Sequence, residues 1–189
     1  MEKVVAALHD LIEQGSLDPT ADEVAAHAGV SRRLVFHHFR SIEAIYERVI
    51  ERQAARIAES FVAVDADLPF PVRLSRFVDS RAVLFERITP VRRSALLREH
   101  ASPAVAASLE MGRSFFRADA ERLFTRELDA RGDEARRSVC SALGACSSWS
   151  HWWALRHEQS LGVAEAKASL KVTLASLLHP TRGAASSPR

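Results

Sequence analysis

The chain has few of the residues and sequence patterns that redox sites, membrane spans and nucleotide-binding loops require. It holds two cysteines, and its 7 glycines are scattered singly along 189 residues. Two cysteines cannot form the disulfide framework of a small secreted domain, and isolated glycines do not make a phosphate-binding loop. Every apolar run is shorter than the roughly 18 residues that a membrane-spanning helix needs. We therefore expect a cytoplasmic protein without a signal peptide or a membrane partner.

Catalytic and metal-ligand patterns are missing as well. Ser147, Ser148 and His151 fall within one helical turn, but no orienting acid, nucleophile turn or oxyanion donor accompanies them. The histidines do not fall at metal-ligand spacing on a common helix face. Cys140 and Cys146 lie six positions apart, on different faces of a helix, so we expect them to stay unbridged. The sequence predicts no enzymatic activity, no cofactor and no metal ion.

One twelve-residue window lacks negative charge. The first 63 residues carry ten acidic and seven basic side chains, yet no acidic residue occurs between Ser31 and Ile42. The net charge of the chain is only +2, so its overall electrostatics do not demand a nucleic acid. A local clearing of carboxylates is typical of a surface that meets a polyanion.

The same window has the pattern of a helix, a turn and a second helix. Thr20 is a natural N-cap with Glu23 at the capping-box position. Gly29 stands where a left-handed residue ends the first helix, and Ser31 caps the next.

Helical periodicity predicts which side chains of the second helix face outward. Val35 and Phe39 share the inward stripe, so Arg33 and His37 point away from it. An outward face of this kind fits the major groove of double-stranded DNA, and the alternative is a solvated cationic surface helix. The predicted DNA-binding residues are Thr20, Ser31, Arg32, Arg33, Leu34, Phe36, His37 and His38.

This segment resembles the DNA-binding domain of the TetR family of bacterial transcriptional regulators, over about residues 3–60. The resemblance implies a homodimer, most often a ligand-responsive repressor, that binds a palindromic operator. The residues that carry it are Thr20, Val24, Ala25, Ala28, Gly29, Val30, Ser31, Val35, Phe36, His38, Phe39, Ser41, Glu43 and Ala44.

Five positions depart from the family pattern. The family commonly has a small hydroxyl residue at Leu34, tyrosine at Phe36, lysine at Ile42 and often glycine at Arg33, and an aromatic residue often stands where Ser16 does. Leu34 exchanges a hydrogen bond for an apolar contact, such as one to a thymine methyl group. Phe36 and Ile42 each lose a phosphate contact, so the operator sequence cannot be carried over.

No strand pattern occurs, and we predict an all-α fold. A three-helix helix-turn-helix head is joined by a long helix, capped by Ser41 and reaching about Val64, to a helical effector-binding and dimerisation domain. The predicted domains are residues 1–45, residues 46–180 and a disordered tail at 181–189. Helices are expected at 2–14, 72–88, 91–100, 103–130, 134–160 and 163–178, with Pro90 and Pro103 opening two of them.

The last two predicted helices are apolar on more than one side. Such helices need two partners, which a four-helix bundle built from two chains supplies. The alternative is that both faces are buried within one chain. The predicted dimer contacts are Val139, Leu143, Trp153, Leu170, Leu174 and Leu177.

A small-molecule effector is expected in the second domain. The aromatic residues proposed to line its pocket are Phe77, Phe85, Phe115, Phe116, Trp149 and Trp152, and the alternative for each is ordinary core. Residues 73–98 also hold seven arginines and two acids. An inward-facing arginine among them would favour an anionic or carboxylate-bearing effector, whereas a solvated face is the ordinary expectation.

Two classes of function follow. The first is a DNA-binding transcriptional regulator, a ligand-responsive dimeric repressor that binds a palindromic operator. The second is a helix-turn-helix-shaped sensor or interaction protein that has lost DNA binding, which the changes at Phe36 and Ile42 keep open.

Overall fold

A computed structural model describes residues 1–179, and the predicted tail at 181–189 lies outside that range. The described residues form ten α-helices without a β-strand, which confirms the all-α prediction. A π-helical turn, Ala154–Glu158, follows the ninth helix. The helices are α1 Glu2–Glu13, α2 Ala21–Ala28, α3 Arg32–His38, α4 Ile42–Ser60, α5 Phe70–Arg98, α6 Pro103–Leu123, α7 Thr125–Asp129, α8 Asp133–Cys146, α9 Trp149–Trp153 and α10 Val163–Leu178. None of the helices within residues 1–179 is both long and apolar enough to cross a membrane.

The chain divides into two compact units. The first unit comprises residues 1–62 and 86–112, and the second comprises residues 63–85 and the chain from residue 113 onward. Helices α5 and α6 each contribute residues to both units. The predicted domain boundary after residue 45 separates a DNA-binding region from an effector-binding region. The division into compact units does not test it, so it stays a prediction.

The first unit is held by a core to which α1, α2, α3, α4 and the last part of α5 contribute. In α3 the core residue is Val35, which is fully buried, and Phe39 follows it as the helix ends. Each such side chain stabilises the fold by roughly 1.5–3 kcal/mol when fully buried. The buried members are Val4, Val5, Ala7, Leu8, Ile12, Val24, Ala25, Val35, Phe39, Ile45, Tyr46, Val49 and Val91.

Polar contacts attach α5 to the loop after α1. The Ser94 hydroxyl donates to the carbonyl oxygen of Leu17 at 2.7 Å. The Arg98 guanidinium donates to the carboxylates of Asp18 and Glu43. These contacts hold the start of α4 and the entry to α2, and so position α3 between them.

Helix α5 runs through Pro90 without a break, so the prediction of separate helices at 72–88 and 91–100 was wrong. Proline removes one helical hydrogen bond and costs about 3 kcal/mol in a helix interior. Ile88 and Val91 are buried on either side of it. Burial of these flanking side chains offsets the cost, which local sequence rules do not include.

Three other helix bounds also differ from prediction. The expected helix at 103–130 is α6 and α7, which are interrupted at Phe124. The expected helix at 134–160 is α8, α9 and the π-helical turn, because Ser147 and Ser148 end one helix and cap the next. Helix α4 ends at Ser60 rather than near Val64.

The second unit buries residues from both of its last long helices, α8 and α10, which pack against each other. Leu143, Leu170 and Leu174 are at most 1% exposed. Their side chains pack inside the chain, and their part in a dimer contact stays a prediction. Val139, Trp153 and Leu177 are half-buried.

Candidate nucleic-acid interface

The start of α2 is held by the predicted capping box. The backbone N–H of Glu23 donates to the Thr20 hydroxyl at 3.3 Å, and the N–H of Thr20 donates to the Glu23 carboxylate at 2.7 Å. Hydrogen bonds from the Thr20 backbone and hydroxyl lower the pKa of Glu23. Thr20 therefore orders the first of the two helices that build the site.

The turn between α2 and α3 has the predicted geometry. Gly29 is left-handed, with φ of 66°, and its conformation ends α2. Ser31 caps α3, its hydroxyl accepting from the backbone N–H of Leu34 at 3.2 Å. A left-handed residue and a hydroxyl cap turn the chain sharply enough for α3 to cross α2 within a few residues.

Helix α3 presents two large apolar side chains to solvent. Leu34 is 41% exposed and Phe36 is 40% exposed, whereas Val35 between them is fully buried. Arg33 and His37 are exposed on the same side. This is the orientation that helical periodicity predicts.

Five of the eight predicted DNA-binding residues line one open depression of about 460 Å³. We call this depression the α3 surface, and it is formed by Ser31, Arg33, Leu34, Phe36 and His37. The remaining three predicted residues, Thr20, Arg32 and His38, are exposed and do not line it.

Arg32 is held at the edge of the α3 surface. Its guanidinium pairs with the Asp22 carboxylate at 2.6 Å and lies 5.4 Å from the centre of the Phe36 ring. The Asp22 carboxylate neutralises part of the charge of Arg32. Asp22 is not among the predicted residues, because its contact with Arg32 spans two helices.

The α3 surface carries positive charge, and none of its lining residues has a carboxylate. Within the described residues, Arg33 has no ion-pair partner. Arg40 is a further exposed cation in the same acid-free window, and the sequence prediction omitted it. Ile42 packs against the core of the first unit. At this position the family commonly has a lysine, so an apolar side chain replaces a charged one.

The residues proposed for an effector pocket lie in the second unit. Phe77, Phe85, Phe116, Trp149 and Trp152 are buried there. Phe115, in contrast, is 43% exposed, and its place in an effector pocket stays a prediction. Its ring lies at the surface beside Phe116, with the two ring centres 5.5 Å apart.

Two of the seven arginines in residues 73–98 are buried, contrary to the expectation of a solvated face. Arg73 pairs with Glu127, and Arg81 pairs with Asp119. Each is at most 2% exposed. The carboxylates of Glu127 and Asp119 compensate the charges of these arginines and make their burial possible. Spacing along the sequence does not reveal these partners, because they lie on other helices.

Possible metal ligands do not gather in the described part of the chain, where no group of three or more His, Cys, Asp or Glu side chains could hold an ion. Cys140 and Cys146 are both free thiols.

A capped helix, a left-handed glycine and an outward-facing basic helix together form a helix-turn-helix, a motif that many DNA-binding proteins use. Residues 4–49 match the family described as "Bacterial regulatory proteins, tetR family". The match covers the helix-turn-helix segment, and it supports a DNA-binding transcriptional regulator of this type. No curated protein has a significant sequence match to it.

Solved structures share the fold over nearly the whole chain. A tetR-family transcriptional regulator from Streptomyces coelicolor is 21% identical, with a TM-score of 0.64 over 93% of this chain and 81% of that one. A transcriptional regulator from Rhodococcus sp. Rha1 is 19% identical, with a TM-score of 0.66 over 94% and 95% of the two chains. GusR of Salmonella enterica is 17% identical, with a TM-score of 0.55 over 95% of each chain. At these identities the likeness shows a shared fold.

Proposed function

We propose that the protein is a dimeric, ligand-responsive repressor that binds a palindromic operator by inserting α3 into the major groove. The observation that carries this proposal is the α3 surface, an exposed basic and apolar face within a window that has no carboxylate. Positive charge supplies affinity for phosphates, and exposed side chains on the inserted helix supply base contacts.

Individual side chains of the α3 surface suit different parts of a DNA site. Arg33 and His37 can donate hydrogen bonds to base edges, as Arg does to guanine. Leu34 can contact the methyl group of thymine. Ser31 and His38 can donate to phosphate oxygens, which positions α3 without specifying sequence. The Thr20 hydroxyl donates to the Glu23 carboxylate at 2.8 Å, so its role is to order the start of α2.

A twofold dimer would present two copies of α3 to two half-sites. Because Leu143, Leu170 and Leu174 are buried, we place the dimer contact on the outer sides of α8 and α10. There Val172 is 67% exposed and Val163 is 40% exposed. The half-buried Val139, Trp153 and Leu177 remain in this proposed contact.

The effector is proposed to bind in the second unit and to change the affinity for operator DNA. Repression is relieved in this scheme if the effector binds the DNA-free conformation more tightly than the DNA-bound one.

The test is operator binding by substituted proteins. The DNA upstream of the protein's own gene is the probe, and R33A and H37A each remove a proposed base contact. We expect each to weaken binding about fivefold or more, since a good base contact provides about 1–3 kcal/mol of discrimination. R48A is the control, because Arg48 is an exposed cation on α4, paired with Glu51 at 2.8 Å, in the same unit. Unchanged binding by both R33A and H37A would contradict direct base contacts by α3.

A salt titration separates the two classes of function. Binding through phosphates requires affinity to fall steeply as salt rises. A helix-turn-helix-shaped sensor without DNA binding, which the apolar packing of Ile42 favours, would retain no DNA fragment even at low salt.

A further inference from the structure

Arg81, on the part of α5 that belongs to the second unit, is a buried cation with an incomplete set of partners. Its side chain is 1% exposed. One of its terminal nitrogens, Nη2, donates to the Phe116 carbonyl oxygen at 3.0 Å and to the Asp119 carboxylate at 2.9 Å. Burial lowers the pKa of Arg81 to about 10, which still leaves it charged at neutral pH.

The other two nitrogens of the guanidinium have no partner. Nε and Nη1 of Arg81 are buried, and no described residue accepts a hydrogen bond from either. Together they carry three N–H groups. Buried donors on a charged group are strongly disfavoured without an acceptor, so each such group in a folded protein calls for a specific explanation.

Arg73 shows that burial of an arginine in this unit does not require unpaired donors. It lies eight residues earlier on α5 and is 2% exposed. Its Nε donates to the Leu68 carbonyl oxygen at 2.9 Å, and its Nη1 donates to the Glu127 carboxylate at 3.1 Å. Its Nη2 also pairs with that carboxylate. Arg73 is therefore a structural arginine and a matched reference for Arg81.

The surroundings of Arg81 are aromatic. The guanidinium carbon lies 4.7 Å from the centre of the Phe77 ring and 4.8 Å from that of Phe116. The Phe85 ring centre is 5.9 Å away. Phe116 is the least buried of the three, at 8% exposed.

Asp119 does not pair with Arg81 alone. Arg122, which is 46% exposed, donates to the other carboxylate oxygen of Asp119 at 3.0 Å. Two guanidinium groups therefore share one carboxylate. A buried arginine with open donors in aromatic surroundings favours an anion that has an apolar body.

We propose that Nε and Nη1 of Arg81 bind the carboxylate of a small organic acid, whose apolar part packs against Phe77, Phe85 and Phe116. This assigns a chemical class to the effector, and to that extent it rests on the proposed regulatory function. Binding of the acid itself does not depend on DNA.

The first test observes Arg81 directly in the full-length wild-type protein. With ¹⁵N-labelled arginine, the Nε–H signal of Arg81 is identified by its loss in R81K. The probes are benzoate, phenylacetate and octanoate, with benzamide, phenylacetamide and octanamide as neutral controls. We expect at least one acid to shift the Arg81 signal while its amide does not. If none of the three acids shifts it, the proposal is overturned, and this readout needs no variant to bind ligand.

The second test measures affinity by calorimetry for the acid that responds. R81K should weaken binding by about tenfold to a hundredfold, since hydrogen bonds to charged groups contribute about 1.5–3 kcal/mol. R73K should change the affinity by less than about threefold, because Arg73 is fully paired within the chain. Equal affinity in wild type and R81K would overturn the proposal.

DNA binding distinguishes failure of this proposal from failure of the proposed function. An acid that binds at Arg81 without releasing operator DNA supports the site and contradicts the regulatory role. Operator binding by a protein that ignores all three acids leaves the proposed function standing and overturns the site.

Discussion

The guanidinium of Arg32, at the start of α3, is paired with the carboxylate of Asp22 on α2 at 2.6 Å. Both side chains are more than half exposed, so the pair contributes little to folding stability. It lies beside the α3 surface, however, where a carboxylate opposes the approach of phosphates. Asp22 is therefore a negative element of an otherwise positive interface.

Replacing this carboxylate should strengthen DNA binding. In D22N, Arg32 loses its ion-pair partner and becomes available to a phosphate. We expect affinity for the operator to rise about two- to fivefold at low salt, with the gain lost as salt screens it. Titration of labelled operator DNA by fluorescence anisotropy measures this. D10N, which removes an exposed carboxylate of α1, is the charge-matched control, and an equal gain in both would show a general charge effect instead.

The left-handed turn at Gly29 should tolerate no side chain without strain. Its φ is +66°, although no atom beyond its own residue and its two chain neighbours lies within 4 Å of the place where a Cβ would be. G29A should therefore destabilise the protein by about 1–2 kcal/mol through backbone strain alone. Gly112, inside α6, provides the opposite case, and G112A should be neutral or stabilising by up to about 1 kcal/mol. Denaturant unfolding compares the two, and a G29A protein as stable as wild type would exclude the strain.

The capping box should give the protein a defined acid sensitivity. Hydrogen bonds from Thr20 lower the pKa of Glu23 below 4.5 in the folded state. A lowered folded-state pKa stabilises the fold above the unfolded pKa, and this contribution disappears as pH falls from about 4.5 through the folded value. The melting temperature of E23Q should thus be lower than that of the wild type near neutral pH, and the two melting temperatures should become equal in acid. E59Q removes an exposed carboxylate from α4 as a control, and a difference for E23Q that persists at pH 3 would contradict this assignment.

The outer side of α10 should carry the dimer contact. Val172 is 67% exposed within one chain, so V172E should fold normally but place a charge in the interface. Sedimentation should show dissociation at concentrations where the wild type is dimeric, together with weaker operator binding. Val83, on α5, is 71% exposed and supplies the control V83E. If V172E remains a dimer, the contact lies elsewhere.

Local rules predicted the helix-turn-helix well, because its geometry depends on residues near each other in sequence. Thr20, Ser31 and Ser41 cap the helices at which their hydroxyls were expected, and Gly29 has the left-handed conformation. The outward side of α3 followed from the buried spacing of Val35 and Phe39.

Predictions that depended on distant partners were less accurate. Pro90 was expected to begin a helix, but burial of Ile88 and Val91 carries α5 through it. The part of Leu143 and Leu174 in a dimer contact stays a prediction, and α8 and α10 bury both side chains within one chain. An apolar stripe shows that a face is covered, and it does not show by what.

The sequence by itself determined the all-α class, the helix-turn-helix and the side chains that α3 exposes, because hydrogen bonding and periodicity within a few residues decide these features. Only the tertiary structure decided that Arg32 is paired with Asp22 and that Arg81 is buried with Asp119. Such charge pairs join separate helices. Their free energies depend on distances and burial that arise only when the helices pack.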